Sequence, residues 1–88
     1  MKEIVQLLLE APDNQLDEQA KVFIKQWDEV PTALQILKVL DICVYAALAS
    51  SFTMSVLNVM YENALRAEGK KHEDLVPLAT WRTNGTME

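Results

Sequence analysis

Residues 39–54, VLDICVYAALASSFTM, carry an aspartate, the chain's only cysteine and a tyrosine within an otherwise apolar run. Asp41 is the first residue whose chemistry could be put to use. A carboxylate buried among apolar side chains resists ionisation and can then act as an acid or base near neutral pH. Spacing points elsewhere, because Asp41 shares a helical stripe with Gln35, Lys38 and Tyr45. With Lys38 one turn back, an ordinary solvated ion pair on the surface or rim is the expectation. Cys43 could be a nucleophile or redox sensor only if a base, a cation or a helix N-terminus stabilised its thiolate. The single histidine, His72, lies far along the chain with no motif linking it to Cys43. Cys43 falls opposite the polar stripe, near Ile36, Leu40 and Ala47, and is expected to be a small core side chain.

Two further groups have residue types that could form sites. His72, Glu73 and Asp74 are adjacent, so a regular helix cannot turn all three toward one ion, and no other His or Cys supplies further ligands. We expect a solvated, mixed-charge turn there, with no metal and no cofactor. Ser50, Ser51, Thr53 and Ser55 form a hydroxyl-rich group. No G-x-S-x-G and no suitably spaced base accompany Ser51, so helix capping and close packing are the expected roles. Ala46, Ala47 and Ala49 beside them suggest a close helix crossing. Two isolated glycines cannot build a phosphate loop.

The chain has 88 residues, half of them apolar, and a net charge of −5. That length predicts one domain, and a domain so small buries only about 60–65% of the surface its unfolded form exposes. Self-association is a common source of further burial. The acidic balance disfavours nucleic-acid binding. A helix-turn-helix reader would need basic and amide side chains on its recognition helix, and residues 52–68 offer a single arginine. A lone cysteine suits a reducing, cytoplasmic setting. The start, MKEIVQLLLEAPD, has an apolar run, yet Glu3 and the lack of a small-x-small site make it read as a helix of the mature protein. A membrane span is not expected either, since the apolar run 34–49 is only 16 residues long and contains Lys38 and Asp41.

Elements that would position these residues follow from Pro12, Pro31, Pro77, Gly69 and Gly85, which punctuate the chain. The pattern predicts an all-α, four-helix domain with helices near 2–11, 14–30, 32–49 and 52–68. In the second, Asp13 or Asn14 would be the N-cap and Leu16, Ala20, Phe23, Ile24, Trp27 and Val30 the apolar face. Asp17, Glu18, Lys21, Lys25, Asp28 and Glu29 would face solvent, with Asp17 and Lys21 paired at i,i+4. Pro31 would open the third helix.

From Thr32 to Glu68 no glycine or proline occurs, which also permits one continuous helix. Its polar stripe, however, jumps by roughly 115° between the halves, so a break at 49–53 with Ser50 or Ser51 as the new N-cap is expected. Gly69 would end the fourth helix in the left-handed conformation. Residues 1–74 are read as the helical domain. Residues 75–88 are read as a C-terminal arm, partly docked through Leu75, Val76, Leu78 and Trp81 and frayed at its end.

The positive signal is apolar surplus. Phe52, Val56, Val59 and Met60 make one face of the fourth helix while Met54, Leu57, Tyr61 and Leu65 make another. A four-helix monomer buries about one stripe per helix, so the excess implies a partner or cover by the arm around Trp81. Phe52, Val56, Val59, Met60 and Trp81 are thus the interface candidates. The functional expectation is a non-enzymatic interaction module (adaptor, inhibitor or regulatory subunit), self-associating as a homodimer, with another protein as a further possible partner. Two alternatives are a helical oligomer with a ligand-binding or catalytic site between subunits, built from Asp41, Tyr45, Tyr61 or Glu62, and a transcription regulator acting through protein contacts.

Overall fold

A connector pairing organises the fold. In a computed structural model, which describes residues 2–79, Leu16 and Ala49 form an isolated antiparallel bridge. Asp17 N–H donates to Leu48 O at 2.7 Å, and Ser50 N–H donates to Gln15 O at 3.0 Å. Leu16 is completely buried at this junction. Two loops that are remote in sequence therefore satisfy each other's backbone groups, as buried loop backbone must.

The helices are α1 (Lys2–Glu10), α2 (Glu18–Ile24), α3 (Ala33–Ala46), α4 (Ser51–Glu68) and α5 (His72–Ala79). The chain is all-helical among the described residues, with five helices where four were expected. α3 is central: it packs against α4, α5 and α2, while α1 leans on α2. Leu16, Ala20, Ile24, Ile36, Val39, Leu40, Cys43, Leu57 and Met60 build the core. None of the described helices is long and apolar enough to cross a membrane.

α2 departs most from the sequence expectation. It begins at Glu18, not near 14, because residues 15–17 are held by the bridge, and Asp17 is its N-cap, accepting from Gln19 N–H at 3.0 Å. It stops at Ile24, after which Gln26 and Trp27 donate back to Phe23 and Ile24 in tight turns. The expected apolar face is therefore cut short. Ala20 and Ile24 are buried, but Phe23 is 42% and Val30 70% exposed.

Lys21 is the second correction. Expected on the solvent side, it is only 5% exposed. Its ammonium donates to Ala11 O beyond the end of α1, with Asp13 at 3.8 Å and Glu18 at 3.9 Å. Asp17, its expected partner, is occupied as the cap.

α3 starts at Ala33, one residue later than the expected 32, and Pro31 does not open it. Thr32 is the N-cap in a full capping box: its hydroxyl accepts from Gln35 N–H, and Gln35 Oε1 accepts from Thr32 N–H. Pro31 lies just before the cap. Glu68, at the far end of α4, also accepts from Ala33 N–H at 2.7 Å and so ties the start of α3 to the end of α4. The break in residues 32–68 occurs, but earlier than the expected 49–53: α3 ends at Ala46, and Ser50 is the N-cap of α4, its hydroxyl donating to Gln15 Oε1 at 2.7 Å. Gly69 ends α4 at φ 67°.

The alanines do not form a close crossing. Ala46 and Ala47 are exposed, and Ala47 terminates α3 in the left-handed region at φ 56°, where glycine is the usual residue. α5 begins at His72, where a turn was expected, and spans positions 74 and 75. Leu75 and Ala79 are buried, and this anchoring carries Pro77 inside the helix in spite of its missing N–H.

Candidate functional site

Two concavities lie on opposite faces of α4. The first runs between α1 and the N-terminal half of α4. On α1, Ile4, Leu7 and Leu8 follow i, i+3, i+4 spacing and share one face, and Ala11, just past the helix end, continues it. Leu8 is buried, whereas Leu7 is 68% exposed. On α4, Phe52, Val56 and Val59 fall within about 60° of one another on the helix circumference. Phe52 is 74% and Val59 59% exposed, while Val56 is half-buried.

Ile4, Leu7, Leu8, Ala11, Phe52 and Val56 line a cavity of about 340 Å³, with Gln15 and Thr53 as its polar members. Among the described residues, none that lines it carries a charge. Exposed apolar surface of this continuity marks an interaction site more often than chance exposure does.

Met60 does not belong to this face. It lies about 80° round from Phe52, toward Thr53 and Leu57, and is 3% exposed in the chain's own core. Trp81, the remaining interface candidate, lies outside the described residues.

The second concavity, about 270 Å³, opens between α3, α4 and α5. It brings together Asp41, Asn58, Tyr61 and His72. Tyr61 is buried, and its hydroxyl is 2.7 Å from His72 Nδ1, with the two rings edge-to-face at 5.6 Å. Burial raises the Tyr61 pKa above its ordinary value. Asn58 Nδ2 donates to Met54 O at 3.0 Å, one turn back on α4. Of the residues considered for an inter-subunit site, Asp41 and Tyr61 meet in this pocket within one chain. Tyr45 and Glu62 are exposed outside it.

Sequence spacing does not signal that His72 and Asn58 share a pocket with Asp41 and Tyr61. His72 is eleven residues from Tyr61 across a helix end, so no local pattern signalled their meeting.

The other reactive residues stand apart. Cys43 is 2% exposed, and burial, with a smaller contribution from the Asp17 carboxylate, pushes its thiol up to about 11. Burial thus favours the neutral thiol over the thiolate that nucleophilic or redox chemistry needs. Ser50 and Thr53 are engaged at the α4 cap, and Ser51 and Ser55 are exposed. Among the described residues, no three His, Cys, Asp or Glu side chains are grouped to hold a metal ion. Comparison with family models, with curated proteins and with solved structures gave no match.

Proposed function

We propose that the protein is a non-enzymatic interaction module that pairs with a second copy of itself through the α1–α4 face. The observation that carries this reading is the uncharged apolar groove with Phe52 standing 74% exposed at its rim. A projecting aromatic side chain beside an apolar hollow on the same face suits an isologous, two-fold interface. There each Phe52 enters the partner's hollow, and the same patch serves both copies. Aromatic anchors in such hollows dominate interface energetics.

Charge favours the same geometry. Two copies of an acidic chain repel, so they meet at least cost where neither presents a carboxylate. A cytoplasmic setting goes with this reading, since the single thiol is buried and needs no oxidising compartment. Regulatory roles, including control of transcription through protein contacts, would then use the remaining surface of the pair.

Sedimentation equilibrium over a wide concentration range tests the proposal. Burying Phe52 in both copies contributes about 3–6 kcal/mol, from 1.5–3 per large apolar side chain. Phe52→Glu should therefore weaken the dimer by about a hundredfold or more. Val30→Glu, an exposed change outside the groove, should leave it unaltered. A wild-type chain monomeric throughout, or a Phe52→Glu dimer as tight as wild type, would overturn the reading.

A further inference from the structure

We propose that the hollow between the end of α2 and α3 binds a small aromatic carboxylate. Phe23, Gln26, Trp27, Gln35 and Lys38 line a cavity of about 250 Å³ there. Gln35 and Lys38 are three apart and share one face of α3. Trp27 Nε1–H donates to Gln35 O at 3.3 Å, which anchors the indole against that helix. Phe23 remains 42% exposed, so the core does not account for its ring. Two aromatic side chains on one small hollow offer a ligand ring a surface to pack on.

The polar groups select the ligand's charge. Gln35 Oε1 accepts from Thr32 N–H at 3.0 Å and from Asp28 N–H at 3.4 Å, so both its lone pairs are engaged. Its Nε2 donors have no acceptor among the described residues, and the Gln26 side chain makes no hydrogen bond among them. Lys38 is exposed and forms no ion pair or hydrogen bond among the described residues, the pair with Asp41 that spacing suggests included. No carboxylate lines the hollow among the described residues. Asp28 and Glu29 line a separate one, together with Lys25.

The hollow thus holds one cation and amide donors still to be satisfied. A cationic ligand would meet Lys38 without compensation, and a neutral one would forgo a charge-assisted hydrogen bond. The chain's net charge of −5 opposes any anion at long range, but beyond about 8 Å such charges are largely screened at physiological salt. A volume just below the range of drug-sized sites suits a single ring with a short acid arm. This site shares no lining residue with the α1–α4 face, so either proposal can fail without the other.

The test is a titration of the ¹⁵N-labelled full chain with phenylacetate, phenylacetamide and 2-phenylethylamine, followed by amide and indole N–H chemical shifts. Phenylacetate should give saturable shifts at Gln26, Gln35, Lys38 and the Trp27 indole, binding about fivefold tighter than the amide, with the amine weakest. Lys38→Met should remove the difference between acid and amide while leaving the weak binding both share. Lys25→Met, an exposed change outside the hollow, should preserve that difference. Raising the salt concentration should weaken the acid and leave the amide unchanged. Equal binding of acid and amide would overturn the proposal. So would an acid preference that survives Lys38→Met or disappears equally in Lys25→Met, shifts confined to α1 and Phe52, or no saturable shifts at all.

Discussion

Replacing Lys21 offers the sharpest test of how the N-terminal half is held. Its side chain is 6% exposed and its ammonium donates to Ala11 O, closing the turn that carries α1 back to α2. A hydrogen bond from a charged group contributes about 1.5–3 kcal/mol, and a cation near a helix C-terminus adds about 0.3–1. Asp13 and Glu18 add little, since their side chains are 73% and 67% exposed and sit at 3.8 and 3.9 Å.

Lys21→Met keeps the packed stem and escapes the desolvation of the ammonium, which offsets part of the loss. The expected net destabilisation is about 1–2 kcal/mol. Lys21→Ala also removes about three packed methylenes, at about 0.8 kcal/mol each, and should lose a further 2 kcal/mol or so. Urea unfolding followed by helical circular dichroism reads both. With a slope near 1 kcal/mol/M for a chain of this size, Lys21→Met should lower the midpoint by about 1–2 M. Most of that difference should persist in about 1 M salt, where exposed pairs are screened but a buried hydrogen bond is not. Lys25→Met, on the exposed side of the same segment, is the control. If Lys21→Met matched Lys25→Met, or its effect vanished in high salt, the buried hydrogen bond would not be what holds the turn.

Ala47→Gly should stabilise the protein, by about 0.5–1 kcal/mol, because the residue is exposed and held at φ 56° where a Cβ is strained. A rise of several degrees in Tm would show it, and a fall would contradict the left-handed cap. Glu68→Ala should cost about 1–2 kcal/mol and speed hydrogen exchange at the Ala33 amide, whereas Glu68→Gln, which keeps an acceptor oxygen, should recover much of both. Cys43 has its pKa raised by folding, from 9.0 to about 11, so the unfolded chain releases that proton first. The associated stability is present below about pH 9 and lost as pH rises through about 11. Tyr61, also raised, acts in the same direction. Urea midpoints taken against pH should fall across that window, less so in Cys43→Ala, and at pH 8 a thiol reagent should label the wild type only as it unfolds.

Legibility in the sequence followed the range of the interaction. Ser50 and Gly69 act within one turn of their own helix, and both ends of α4 could be placed from residue type and the displaced polar stripe. Cys43 could be read as core because every neighbour at helical spacing is apolar. α2 could not be bounded in the same way. Its start is set by Leu16 meeting Ala49, thirty-three positions later, and that contact overrides the capping preference of Asp13 and Asn14. Lys21 carries no sequence mark of burial, since on a wheel it resembles any solvated lysine. The stripe of Phe52, Val56 and Val59 was visible, but the α1 wall that turns it into a groove is a matter of packing. Met60 was misplaced because its periodicity fits two faces and only the fold chooses. Tyr61 and His72 meet across the end of α4, where periodicity ceases to relate residues.

Intermolecular contacts at Phe52 test the proposed pairing most directly. An isotope-filtered NOE experiment on a mixture of labelled and unlabelled chains distinguishes contacts between copies from contacts within one. The proposal expects NOEs between the Phe52 ring of one copy and the methyl groups of Ile4, Leu7 and Leu8 of the other, reciprocal as two-fold symmetry requires. No intermolecular NOEs at Phe52, or a set that instead joins Phe23, Val44 or Tyr45 across copies, would contradict it.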